Sequence, residues 1–600
     1  MTFTPRFPDL VTMLETSVKT YATRPLFGTH GASGWTWMTY GEVGALVDQL
    51  RGGIASLGVV RGDRVAVISN NRVEWAIGAY ATYGLGACWV PMYENQLDKE
   101  WKYILGDSGA KVCFCATKKI LERVKKLDIE GLQLVCFDGG ADEEGSYQKL
   151  LSIGKATPVP AIKPDPADVC GFVYTSGTTG NPKGVRLTHA NLAGHVSAIM
   201  EVVPFNSDER SLAFLPWAHV FGGGTELQGV VSLGASMAIC DANDKLIEYL
   251  PEVKPSVLFA VPTIWNRIYA GVQKQMASKP RIIQSLFAAG MAAQSKIKRG
   301  EAVGLGGKIA LALARKLIFG KIIDRFGGRL KYAVSGAAAL SPEVAEFIDN
   351  LGITVYEGYG MTETTSGVVS NSPGQRRIGS VGKALPGTTI KLDFEALGGD
   401  AQTGVGEIII YSVGNMAGYH NLPEETAKMV TPDGGLRTGD LGRFDKDGFL
   451  FITGRVKELY KLENGKYVAP APMEEKIALS PFIAQVMVHG SGKAFNVALV
   501  VPDMTSLGPW CKENGVAGEG EALLKDARVK KLLGDEIEKH SKDFKGYERV
   551  KDFVVLAESF SQQNDMLTPT LKLKRRNVLK RYEGELNALY TTPAAAAAAG

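Results

Sequence analysis

The stretch that offers the most chemistry is Tyr174-Thr-Ser-Gly-Thr-Thr-Gly-Asn-Pro-Lys-Gly184. Its hydroxyls (Thr175, Ser176, Thr178, Thr179) and glycines (Gly177, Gly180) make a loop rich in donors, with freely oriented backbone N–H groups. Such a loop can wrap polyphosphate oxygens, and Lys183 adds a point charge. A P-loop would need G-x-x-x-x-G-K-[ST]; here Pro182 precedes the lysine and Gly184 follows it, so that pattern fails.

The loop needs a frame to hold it. Short apolar runs alternate with longer segments of helical period: Arg64–Ser69, Ala110–Ala116, Val169–Tyr174, Ser256–Val261 and Leu330–Val334. Runs apolar on both faces and separated by helices predict buried parallel strands, so most of the first 390 residues reads as doubly wound α/β. From about Gly404 shorter strands (Glu407–Tyr411, Gly448–Ile452) with Asp-Gly turns predict a small antiparallel, barrel-like part. Beyond Arg455 charge density rises and the pattern becomes α+β. We expect an N-terminal domain over 1–454, a smaller mobile C-terminal domain over 455–592 and a low-complexity alanine tail over 593–600. Cys113 and Cys115 fall on one face of a strand and read as buried small hydrophobes.

The eleven-residue string resembles the phosphate loop of the adenylate-forming enzymes: acyl-CoA synthetases, firefly-type luciferases and nonribosomal adenylation domains. Other stretches carry the same resemblance in the expected order. Ser335-Gly-Ala-Ala-Ala339 is similar to the segment lining the adenine pocket, which assigns Gly336, Ala337 and Ala338 to the nucleotide. Tyr359-Gly-Met-Thr-Glu363 resembles the segment in which an aromatic ring stacks on adenine, a threonine touches the α-phosphate and a glutamate holds Mg²⁺. The match gives those roles to Tyr359, Thr362 and Glu363. Leu436–Asp440 resembles the ribose-binding segment, with Asp440 as the ligand. Gly454–Lys461 resembles the interdomain segment, with Arg455 on ribose or phosphate, Lys457 at the hinge and Lys461 assigned to the nucleotide site. Leu567–Arg575 resembles the C-terminal segment with the catalytic lysine. Counting back from Arg575 favours Lys572 over Lys574, although alternation would put both on one face.

The resemblance implies ATP and Mg²⁺ as cofactors and coenzyme A as co-substrate. A carboxylate attacks the α-phosphorus, pyrophosphate leaves, and a thiol then takes the acyl group, with Lys183 and Lys572 supplying charge. Leu215–Gly222 resembles the acyl-pocket segment of long-chain fatty acyl-CoA synthetases, placing His219 beside the carboxylate and Trp217 as a tunnel gate. Gly222-Gly-Gly224 either frees tunnel space for a long or wide acyl chain or forms a tight turn into a helix. A fatty acyl-AMP ligase or aryl-CoA ligase would share every ATP motif, and a non-catalytic lipid-surface scaffold is the reading from another class.

Composition narrows the rest. With 600 residues, 45% hydrophobic, and 67 basic against 63 acidic residues, the chain is globular and its net charge of +4 gives no argument for nucleic acid. Seven cysteines without a C-x-x-C pair suggest a reducing, cytoplasmic setting. No segment reads as a membrane span, and the N-terminus lacks a secretory signal's pattern. Residues 274–325 hold eleven basic and two acidic side chains, interleaved with Ile282, Leu286, Phe287, Leu313, Leu317 and Phe319. They read as basic amphipathic helices, either a solvated insertion or a peripheral contact with an anionic membrane on its cytoplasmic face.

Overall fold

The computed structural model describes residues 3–175, 181–203, 205–395, 404–518 and 520–591. Two α/β units occupy the first part of the chain. One is a six-stranded sheet in the order Gln133–Cys136, Val112–Cys115, Arg64–Ile68, Cys88–Met92, Val169–Thr175, Lys183–Thr188. Every pairing in it is parallel except the last, where the two final strands form an antiparallel hairpin with Thr175 opposite Lys183. Residues 176–180, the expected phosphate loop, lie outside the described residues; their stem is this hairpin. Cys113 and Cys115 are buried in one core cluster while Phe114 between them packs into another, as strand alternation requires.

The second unit has Val257–Ala260, Tyr332–Ser335 and Thr354–Met361 in parallel, continued antiparallel by Ser366–Ser370 and Lys383–Ala384. The expected strands thus appear, each shifted by a residue or two. A smaller sheet, Pro25–Gly31 with Gly34–Thr39, Ser236–Ile239 and Arg210–Ala213, joins the units. The barrel-like part is the antiparallel sheet Thr388–Asp393, Gly406–Ser412, Leu436–Phe444, Leu450–Arg455, tied to the second unit by a Gly382–Leu450 bridge. Beyond it, Ile483–His489, Asn496–Pro502 and Val550–Val555 form a three-stranded sheet with its own two apolar clusters. No helix among the described residues is long and apolar enough to cross a membrane.

Helix Tyr40–Ser56 crosses helix Tyr147–Ala156 almost backbone to backbone. A Cβ on Gly154 would fall 1.7 Å from the Gln49 carbonyl oxygen. Only glycine allows this approach, because the obstacle is main chain and has no rotamer to change. Gly154→Ala should therefore destabilise the first unit by about 1–3 kcal/mol, seen as a lower melting temperature. An unchanged midpoint would mean the two helices part at no cost.

Candidate active site

The parallel strands of the second unit deliver backbone to one edge, where ligands of open α/β sheets bind. Strand Tyr332–Ser335 ends in Gly336-Ala-Ala, with Ala337 held at a left-handed φ of 69°. Strand Thr354–Met361 ends in a 3-10 turn, Thr362–Thr364, that buries Thr362 and Glu363. The space above Gly336 is bounded by the Phe221 ring, 3.5 Å from where a Cβ would stand. The small-residue segment and the acyl segment therefore adjoin.

Tyr359 donates its hydroxyl to Asp440 Oδ2 at 2.7 Å, and Arg455 Nε donates to Asp440 Oδ1 at 2.6 Å. Burial, with the Asp440 charge adding to it, pushes the Tyr359 phenol well above its usual pKa, so it acts as a donor. Glu363 accepts from the Tyr419 hydroxyl at 2.7 Å, and its carbonyl accepts from Met416 N–H. Among the described residues its second carboxylate oxygen accepts no hydrogen bond. A carboxylate is a suitable hard ligand for Mg²⁺, an ion that takes most of its other ligands from phosphate and water.

The two candidate lysines separate. Lys574 pairs with Asp565 at 2.7 Å, inside the C-terminal part. Lys572 is exposed, and its ammonium lies within the electrostatic field of Asp440 and Glu363 of the N-terminal part. Desolvation and Arg455 lower its pKa, while Asp440, Glu363 and Glu458 act against that. Burial, with the Lys572 charge adding to it, lowers His219 to about 4. At neutral pH that imidazole is uncharged. Its Nδ1 accepts from Phe221 N–H at 3.2 Å, which leaves the proton on Nε2 as a donor.

Other expected residues stand differently. Lys183 reaches Glu425 at 2.5 Å and lies 5.0 Å over the Tyr419 ring. This ion pair and Lys428 hold Glu425 down at about 2. Lys457 is exposed on the turn between the strands Leu450–Arg455 and Tyr460–Lys461. Lys461 packs over Tyr467 in a local hairpin and forms no hydrogen bond or ion pair with Asp440, Tyr359 or Glu363. The Trp217 ring is buried against Phe27 and Trp75 in the first core, so gating by it would require the ring to leave that packing. The glycine run does not open space. A Cβ on Gly222 would come 2.5 Å from the Pro216 carbonyl oxygen, and one on Gly223 would come 2.3 Å from that of Trp217. The tight-turn alternative is what the chain adopts, in a π-helix over Phe221–Leu227.

Sequence reasoning missed Tyr419 and Glu425, and also a buried relay. His195 Nε2 meets Thr225 Oγ1 at 2.9 Å, and Thr225 donates to Ser366 Oγ at 2.8 Å. Thr365 and Ser366 are consecutive non-glycine residues at positive φ, directly after the Thr362–Thr364 turn that carries Glu363. The relay thus ties the acyl segment to the turn carrying Thr362 and Glu363.

The profile of the AMP-binding enzyme family matches residues 14–420, and that of the AMP-binding enzyme C-terminal domain matches residues 458–594. The chain belongs to this family. It is 31% identical to the peroxisomal long chain acyl-CoA synthetase 6 of Arabidopsis thaliana, over 98% of this chain and 87% of that one. It is also 31% identical to long-chain-fatty-acid–CoA ligase 1 of Homo sapiens, over 93% and 83%. Among solved structures, the adenylation domain of a carboxylate reductase from Mycobacterium chelonae superposes with a TM-score of 0.78 at 23% identity, covering 98% of this chain and 92% of that one. That last likeness concerns the fold.

Burial lowers the His195 pKa from 6.5 to about 4. The unfolded chain takes up this proton near 6.5 and the folded one resists, so stability is full above that pH and drains as pH falls towards 4. By about pH 5 the loss through this residue is about 2 kcal/mol. The melting-temperature deficit of His195→Gln relative to wild type should therefore shrink between neutral pH and about pH 5. A deficit that stays constant would contradict the buried neutral state.

Proposed function

We propose that this AMP-binding family member activates a long-chain fatty acid with ATP and passes the acyl group to coenzyme A, releasing AMP and pyrophosphate. The observation that carries the reading is the bonding of Asp440 to both Tyr359 and Arg455 beside the buried turn that holds Thr362 and Glu363; the electrostatic pull of Asp440 and Glu363 on Lys572 supports it. Full-length similarity to long-chain acyl-CoA synthetases supports the acyl class.

In the first half-reaction a carboxylate oxygen forms a bond to the α-phosphorus. The α–β bridging bond breaks, and its electron pair leaves with pyrophosphate. Both reactants are anions, so the work of the site is to neutralise charge. We assign Lys572 and Thr362 to the α-phosphate, Lys183 and the 175–180 loop to the outer phosphates, and His219 to the acyl carboxylate. Tyr359, Gly336, Ala337 and Ala338 hold adenine; Asp440 and Arg455 hold ribose. Glu363 holds Mg²⁺, which when bound spreads the phosphate charge. Lys461 joins the nucleotide only if the C-terminal part turns.

In the second half-reaction a thiol attacks the acyl carbonyl and AMP departs. No nucleophilic side chain is needed, because the adenylate is already activated. We divide the chain at Gly454/Arg455, with Lys457 as the hinge between a 1–454 domain and a mobile 455–592 domain. A 16-carbon tail contributes on the order of 10 kcal/mol at about 0.8 kcal/mol per buried CH₂, before ordering costs, so a range of lengths is accepted. A cytoplasmic enzyme attached peripherally to an anionic membrane through residues 274–325 belongs to the same reading.

Fatty-acid-dependent ATP–pyrophosphate exchange tests the proposal, with an aromatic acid as control. Exchange with the aromatic acid alone would overturn the acyl assignment, and exchange with neither would overturn the activity. Lys572→Ala should slow exchange by about 10²–10³. Lys574→Ala should change it only a few-fold, since a half-exposed ion pair contributes at most about 1 kcal/mol; the opposite ranking would reassign the lysine. Lys457→Pro, by fixing φ, should impair thioester formation more than adenylation. Equal losses in separate assays of the two half-reactions would remove the hinge.

A further inference from the structure

Residues 274–325 contain eleven basic side chains, and all eleven are exposed. Lys298 pairs with Asp349 and Arg299 with Glu301; the other nine form no ion pair among the described residues. Positive charge is thus concentrated here with little local compensation.

The segment folds as a helical hairpin. Helix Arg281–Lys298 packs against helix Leu305–Ala314, with Gly290 against Ala314. The second helix runs on through a π-helical turn, Arg315–Phe319, into Gly320–Asp324. Its inner face buries Leu311, Ala314, Ile318, Phe319 and Ile322 in the second core, and Phe287 of the first helix joins them. The apolar residues of the charged segment therefore have two fates, which sequence alone did not separate.

The outer face carries Leu305, Ile309, Leu313 and Leu317, exposed by 77%, 53%, 45% and 46%. A four-residue step drifts by about 40° around an α-helix. The π turn uses more residues per turn and offsets that drift, so Leu317 stays with the other three. The result is one apolar ridge about 18 Å long, at about 1.5 Å per residue. Lys308 and Lys316 stand within a turn of it.

We propose that this ridge and its lysine rim dock on the surface of an anionic lipid bilayer. The four aliphatic side chains enter the acyl–headgroup boundary and the lysines meet lipid phosphates. The hairpin then lies in the plane of the interface. The inference deepens the reading of residues 274–325 as a membrane contact and rests on it. A second copy of the chain fits poorly, since Lys308 and Lys316 beside the ridge would be brought near like charges of the other copy. The ridge also presents no Trp or Tyr, the side chains that dominate protein–protein hot spots.

The experiment uses the full chain and sedimentation with phosphatidylcholine vesicles, with and without phosphatidylglycerol. Wild type should bind the anionic vesicles. Replacing Leu305, Ile309, Leu313 and Leu317 together by serine should weaken binding about tenfold or more and leave a remainder that salt abolishes. The pair Lys308→Glu and Lys316→Glu should weaken binding comparably but leave a remainder that salt does not remove. Melting temperature and activity on a short, soluble fatty acid without vesicles should be unchanged in both variants, because the altered side chains face outward. The proposal is overturned by equal binding of wild type and the serine variant, by indifference to lipid charge, or by self-association that the serine variant abolishes without any vesicle binding. Vesicle binding by a chain that activates no fatty acid would sink the substrate reading and leave the docking face standing.

Discussion

Two negative groups must be brought within bonding distance, and everything at this site serves that electrostatic demand. A carboxylate and a triphosphate repel each other, and burial strengthens the repulsion as the dielectric falls. Charge of opposite sign must arrive at the right moment and from the right side. Lys572 arrives on a turn of the C-terminal part, while Lys183 stands at the end of a strand in the first unit. Under the proposed division of the chain the two cations belong to different domains, so that one can be withdrawn without disturbing the other.

The C-terminal part is braced for that placement. Arg575, three residues after Lys572, forms an ion pair with Glu474, and Glu458 lies 3.5 Å from the same guanidinium. Thr568 Oγ1 accepts from the Lys572 N–H at 3.0 Å and fixes the turn. Across the domains, Lys476 meets Glu343 at 3.3 Å, and Glu343 also accepts from Tyr269. Partly exposed contacts of this kind contribute little each. They locate the domain without anchoring it, which suits the turning proposed for it between half-reactions.

The strands were legible because β-branched runs buried on both faces leave few alternatives. The nucleotide segments were legible because each is contiguous in sequence. What escaped depends on the path of the chain in space. Tyr419 reaches Glu363 across 56 residues and Glu425 reaches Lys183 across 242, and neither lies in a recognisable string. The glycines at 222 and 223 were read partly as room for substrate, but main chain from residues 215–217 fills that volume. An absent side chain marks a close approach without saying what approaches. Alternation put Lys572 and Lys574 on one face although the count from Arg575 favoured Lys572, and the partner that separates them, Asp565, is brought close by a turn.

The contact between Lys183 and Glu425 changes how the phosphate lysine must be viewed. Its ammonium is already held by a carboxylate of the same chain, and Lys428 supports that carboxylate from its far side. On the proposed assignment of Lys183 to the outer phosphates, an incoming phosphate oxygen displaces an internal anion and not only water. Association is correspondingly less favourable than a bare lysine would make it, and departure of the product anion is eased by a tethered substitute waiting to take its place. Glu425 in effect sets a ceiling on how tightly this end of the molecule can hold what it releases.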